Sequence, residues 1–175
     1  MRTTLLAIIA ITAILGGCSS DNGVSNSNSG TLQVMMTDAP IDLAQVWVTI
    51  TEVDVHQTGA DWRMISTASK SQDLLKLKNT QELLATASLT DGSYTGFRLQ
   101  VSEGHVVDAQ GNTCDLKIPS DKIEVPVAFT IKAGKLTSVV LDFNAEKSVH
   151  VTSAGQSEKC ILRPVITPSS VENGQ

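Results

Sequence analysis

KIEVPVAFTIKAGKLTSVVLDF, residues 122–143, holds two alternating runs joined by a short turn. In the first run Ile123, Val125, Val127, Phe129 and Ile131 occupy every second position, and in the second Val139, Leu141 and Phe143 do the same. Successive side chains of a strand point to opposite faces, so a period of two marks a β-strand with one face buried. Ala133-Gly134-Lys135 supplies turn chemistry between them.

The same period extends through the chain in both directions. Leu32, Val34 and Met36 share one face of a first strand, and Val46, Val48 and Ile50 share a face of the next. Val53 and Val55 then change parity, which a single extra residue near Thr51–Glu52 would absorb, so a β-bulge is expected there. Turn signals at Thr58-Gly59-Ala60-Asp61, Asp91-Gly92 and Gly111-Asn112 separate strands over Trp62–Ile65, Phe97–Val101 and Leu116–Ile118. Cys160–Thr167 reads as a last strand, placed at an edge because Pro164 cannot donate to a ladder. One short helix is expected over 80–87, where Asn79 and Glu82 have capping-box spacing and Leu83, Leu84 and Ala87 share a face. About eight short strands with little helix predict an all-β, antiparallel β-sandwich of prealbumin or immunoglobulin type over residues 31–168, with an open barrel as the other closure. No alternation of strands with helices calls for a parallel sheet.

Composition agrees with one folded domain. The 175 residues are 41% hydrophobic and 18% charged with a formal net charge of −5, enough apolar material for a self-supporting core. The acidic balance argues against nucleic acid as a partner, since nothing gathers the cations that phosphates need. With 2 Trp, 1 Tyr and 3 Phe the chain also lacks the material of a base-stacking platform.

The N-terminus carries a different message. Arg2 precedes Leu5–Leu15, an apolar run broken only by Thr12. At ~1.5 Å per residue it is too short for ~30 Å of hydrocarbon, but it suits a secretory signal. Leu15-Gly16-Gly17-Cys18 resembles a bacterial lipobox. Residues 1–17 are therefore expected to be a lipoprotein signal peptide, with Cys18 acylated, palmitate included, and anchored to the membrane by two or more chains. Ser19, rather than aspartate, follows the cysteine, which in such lipoproteins implies the outer membrane where the cell has one. Residues 18–30 read as the lipidated cysteine and a flexible tether, because Ser, Asn and Gly cannot offset their ordering entropy by burial. Residues 169–175 are expected to be a disordered tail.

Cys114 and Cys160 remain once Cys18 is committed to lipid, and in an exported chain an even pair is expected to form a disulfide. His56, His105 and His150 lie on separate segments without ligand spacing and read as polar residues of strands or turns. Asp38, before Ala39-Pro40, and Asp142 and Asn144 offer hard oxygen ligands for a calcium site. The structural reading makes Asp38 an Asx-turn former ending the first strand and Asp142 an acceptor of loop N–H groups. No G-x-S-x-G, P-loop, H-E-x-x-H or C-x-x-C occurs. Trp47 and Trp62 are expected to fill core or sheet-face positions.

Several short motifs in order carry a family resemblance: Thr37-Asp38-Ala39-Pro40, Val53-Asp54-Val55-His56, Asp73-Leu74-Leu75-Lys76-Leu77, Gly92-Ser93-Tyr94-Thr95, Leu141-Asp142-Phe143-Asn144-Ala145 and Leu162-Arg163-Pro164-Val165-Ile166. From about Gly30 to Thr167 the chain resembles prokaryotic lipoproteins classed as domain of unknown function 4382. The resemblance implies a lipid-anchored β-sandwich and no established activity. Asn144 stands where the family often has a second aspartate, which removes a charge from a calcium site. The expectation is thus a non-enzymatic, lipid-anchored binding or surface module of a bacterial envelope, whose partner is an envelope protein or glycan. The competing account is a calcium- or other metal-dependent envelope enzyme.

Overall fold

The computed structural model describes residues 28–38, 42–154 and 157–174. The signal peptide, Cys18 and most of the tether expected from the sequence lie outside the described residues. Strands β1 (Ser29–Thr37), β2 (Gln45–Gln57), β3 (Trp62–Ser66), β4 (Lys70–Asp73), β5 (Glu82–Thr90) and β6 (Gly92–Val107) are followed by β7 (Thr113–Lys117), β8 (Lys122–Ile131), β9 (Leu136–Phe143), β10 (Val149–Ala154), β11 (Ser157–Leu162) and β12 (Ile166–Glu172). They form a 4-stranded sheet in the order β12-β9-β1-β5 and an 8-stranded sheet in the order β10-β11-β7-β6-β2-β3, with β4 on β2 and β8 on β6. The protein is an all-β sandwich, as its alternation predicts.

The inner faces are the predicted ones. Leu32, Val34, Met36, Leu141 and Phe143 of the smaller sheet are fully buried, opposite Val46, Val55, Phe97, Leu99 and Ile131 of the larger. A row of stacked rings, Tyr94–Phe129–Phe97, runs through the larger sheet with centroids 5.2 Å apart at both steps. The expected bulge is present: Ile50 faces Val101 and Glu52 faces Gln100, leaving Thr51 unpaired. A second extra residue, Ser102, sits on β6 between the positions that face Thr49 and Ile50.

Two strand pairings are parallel, β1 with β9 and β11 with β7, so the sheets are mixed. The cause lies in the turns. The Ala133–Lys135 turn and the Asp91 turn each carry the chain from one sheet to the other, so β8 and β9 do not pair with each other. Gly134, at φ 70°, adopts the left-handed conformation that the first turn needs.

Residues 80–87 are not a helix. β5 occupies Glu82–Thr90, and Asn79 takes φ 58°, a turn conformation rather than the extended backbone of a helix cap. Its apolar residues instead pack through strand pairing with β1, where a bulge between Val34 and Met35 accommodates Leu84 as the extra residue. Helical structure occurs elsewhere, as a 3₁₀ turn at Leu74–Leu77 capped by Asp73 and as α1 (Ala145–Ser148) capped by Asn144. The proposed tail is also ordered as far as Glu172: Ser170, Val171 and Glu172 pair with Val140, Val139 and Ser138. Cys160–Thr167 is not continuous, because the ladder breaks at Arg163–Val165 around Pro164. The prolines tolerated within strands are instead Pro168 of β12 and Pro126 of β8, both in edge strands. At the other end, Ser29 and Gly30, assigned to the tether from sequence, already pair with Thr90 and Leu89.

Candidate binding face

The larger sheet turns its second face outward, and this face gathers the polar positions of the alternating pattern. Register places Trp47 of β2 opposite His105 of β6, and His105 opposite Asp115 of β7. The neighbouring row runs from Ser71 of β4 through Thr49 to Glu103. Ser102, the extra residue of the β6 bulge, joins these groups with Leu116 and Ile118 around a cleft of about 480 Å³. Bulges of this kind re-aim side chains and break the flatness of a sheet. Gly104 allows the three strands to approach here, since a Cβ at this position would lie 2.7 Å from the Trp47 carbonyl oxygen.

The groups of the cleft are already organised. The Trp47 and His105 rings are stacked, with centroids 6.1 Å apart and planes 16° from parallel. Thr49 Oγ1 lies 2.8 Å from Ser71 Oγ and donates to Glu103 Oε1 at 3.4 Å. Trp47 Nε1 donates to Gln45 Oε1. Glu103 and Asp115 are the charged groups of the lining, and no lysine or arginine is among them. The other border of Trp47 forms a second cleft with Lys70, Asp73, Lys76 and Glu82. There Lys76 Nζ sits 5.6 Å from the centre of the indole, within reach of Asp73 at 3.8 Å.

Trp62 stands further along β2's partner strand, also on the sheet face. Its ring lies 4.9 Å from that of His56 and 4.9 Å from the Arg98 guanidinium. Arg98 in turn donates to Asp54 from Nε at 2.8 Å and from Nη2 at 2.6 Å. Both tryptophans therefore occupy the sheet-face positions expected of them. Tyr94 has its pKa raised, chiefly by burial, with Asp91 reinforcing and Arg63 opposing the effect. Its hydroxyl donates to the Thr90 carbonyl at 2.8 Å. Asp108 is held below the usual aspartate range, first by the Asn112 side-chain amide and then by backbone N–H groups of the β6–β7 turn.

Two of the residues singled out for calcium accept backbone N–H groups, whereas Asp142 Oδ1 is buried without a hydrogen-bond partner among the described residues. Asp38 Oδ1 accepts from the Ala145 N–H at 2.9 Å, and Asn144 Oδ1 accepts from the Lys147 N–H at 2.9 Å. Asp142 pairs in register with Thr37, on the face opposite to Leu141 and Phe143, whereas Asp38 continues the inward parity of Val34 and Met36. Among the described residues, no three His, Cys, Asp or Glu side chains are grouped to hold a metal ion. His56, His105 and His150 lie on β2, β6 and β10. The expected disulfide is formed, Cys114 of β7 to Cys160 of β11, with Cα atoms 6.1 Å apart.

Sequence inspection missed the Trp47 cleft because its residues come from four strands that only register brings together. The available signal was modest: Trp47, Thr49, Glu103 and His105 all hold the non-core phase of their strands. By fold and by this face, the chain is an all-β sandwich domain with an acidic, aromatic-bordered cleft on its larger sheet. The profile of the family described as domain of unknown function (DUF4382) matches residues 29–164. The chain belongs to that family. No curated protein and no solved structure matches it.

Proposed function

We propose that the protein is a lipid-anchored, non-catalytic binding module of a bacterial envelope that presents the Trp47 cleft away from its membrane. The observation that carries this reading is the polarity of the fold relative to its N-terminus. Asn28 and Ser29 accept from Asp91 and Gly134 N–H groups, so the chain joins the domain at the end that carries the crossover turns. Gln57 of β2 reaches the same end, facing Tyr94, while Trp47 faces His105 near the other. Ten residues of strand at ~3.3 Å each separate Gln57 from Trp47, or about 33 Å. A lipid on Cys18 and a polar leash would hold the first end toward the bilayer and leave the cleft facing outward, with an envelope protein or glycan as its partner.

Fractionation of cells producing the full chain tests the anchor. The parent is expected in the membrane fraction and Cys18→Ser in the soluble one. Equal membrane retention of both would overturn the anchored reading. Crosslinking in intact envelopes tests the cleft: a partner captured by the parent is expected to be lost from Trp47→Ala and kept by a variant at the opposite end, Gly59→Ser.

A further inference from the structure

We infer that the Trp47 cleft takes an organic ammonium group carried on an apolar stem, the chemistry shared by a lysine side chain and an aliphatic diamine. This rests on the reading of that cleft as the binding site. Its lining divides into two parts. Leu116, Ile118 and the Trp47 indole offer apolar surface, while Glu103, Asp115, Thr49 and Ser102 offer acceptors. A methylene chain ending in –NH₃⁺ matches this division, because such side chains bury the stem and keep the charged head among polar groups. An ammonium has three donors and no acceptor, and it suits a lining with two carboxylates and hydroxyl oxygens.

Register supports joint action of the two carboxylates. Asp115 faces His105, two residues along β6 from Glu103, so the acids are diagonal neighbours on one face. Diagonal positions are about 7–8 Å apart at Cα, which lets two side chains converge on one cation. With two carboxylates and no lysine or arginine in its lining, beside the His105 imidazole, the site disfavours phosphate and carboxylate ligands. The indole's affinity for ammonium is visible within the protein itself, where Lys76 Nζ stands over Trp47 from the neighbouring cleft. The volume of about 480 Å³ is ample for such a group and its stem.

The test uses the detergent-solubilised full chain in a Trp62→Phe background, which leaves Trp47 the sole tryptophan of the 2 as a fluorescence reporter. Cadaverine and the peptide acetyl-Gly-Lys-Gly-amide are titrated, with glucose and inorganic phosphate as controls. Saturable changes with one or both amines, weakening as salt is raised, are expected. Glu103→Gln should weaken binding about threefold, as should Asp115→Asn, because each removes one exposed charge pair. Tighter binding of the peptide identifies a protein lysine as the source of the ammonium, and tighter binding of cadaverine a free amine. No saturation by either amine at millimolar concentration would overturn the inference, as would unchanged affinity in the double variant or equal binding of glucose. If the crosslinked partner were still lost from Trp47→Ala in that case, the binding-module reading would stand and only the ammonium assignment would fall.

Discussion

Removing the Cys114–Cys160 bridge should destabilise the domain by an amount the fold lets one work out. The bridge closes a segment with a sequence separation of 46. A closed loop of that length restricts the unfolded chain by about 4 kcal/mol at 25 °C in the chain-entropy account. For a domain of this size ~1 kcal/mol corresponds to about 2–4 °C, so Cys114→Ala/Cys160→Ala should melt about 8–16 °C below the parent. The urea slope should rise as well, because an uncrosslinked chain exposes more surface when unfolded. The local effect should fall on β11, whose ladder with β7 consists of Cys160 facing Leu116 and Ile161 facing Lys117. Amide exchange at Leu116 and Ile161 should accelerate more than at Leu32 or Val34. Calorimetry and urea titration of both proteins decide the matter. A melting difference under about 3 °C with an unchanged urea slope would refute the loop-entropy reasoning, and two thiols labelled in the native parent would refute the bridge itself.

Three further outcomes follow from the same geometry. Asp54→Ala should cost about 3–5 kcal/mol by urea denaturation, because it strips Arg98 of its partner where the Asp54 side chain is 4% and the Arg98 side chain 25% exposed; Asp54→Ala/Arg98→Met should recover much of that loss. Gly104→Ala should cost about 1–3 kcal/mol through crowding against the Trp47 carbonyl, and a shifted Trp47 emission would accompany it. Tyr94 is the single tyrosine, so ultraviolet titration reports it alone, and its raised pKa should appear as ionisation above the ordinary value of ~10. Since folding favours the protonated phenol, its contribution is intact below the unfolded pKa and is lost as pH rises through the folded one. The alkaline fall in melting temperature should therefore be shallower in Tyr94→Phe.

The buried faces were legible because alternation is a direct image of burial. Ile123–Ile131 and Val139–Phe143 are the strands their period predicts, and the parity change between Ile50 and Val53 foretold the bulge at Thr51. Sheet membership was not legible, because a turn such as Ala133–Lys135 looks the same whether it closes a hairpin or crosses between sheets. Residues 80–87 misled for a related reason. Leu83, Leu84 and Ala87 match a helical face, but the extra residue of a bulge imitates that spacing in a strand. Ser170–Glu172 look like a solvated tail, and only the open edge of β9 gives them a ladder to join. Asp38 and Asn144 accept loop N–H groups, the role expected of Asp142, because the parallel β1–β9 pairing brings the end of β1 to the start of α1; the Trp47 cleft depended on register alone.

The position of the bridge ties the cleft to the compartment in which the chain matures. Asp115 and Leu116, which supply one wall, lie on the short strand β7. On one side that strand meets β6 at His105, Val106 and Val107, and on the other it meets β11 at two residues beside the disulfide. With the thiols reduced, β7 keeps its ladder to β6 but loses its covalent hold on the β10–β11 hairpin. Thiols stay reduced in a bacterial cytosol and are oxidised after export. An exported chain would therefore gain this covalent support of the strand that carries Asp115 and Leu116 only after leaving the cytosol. Native protein treated with reductant should accordingly lose amine affinity before it loses its folded β-sheet signal.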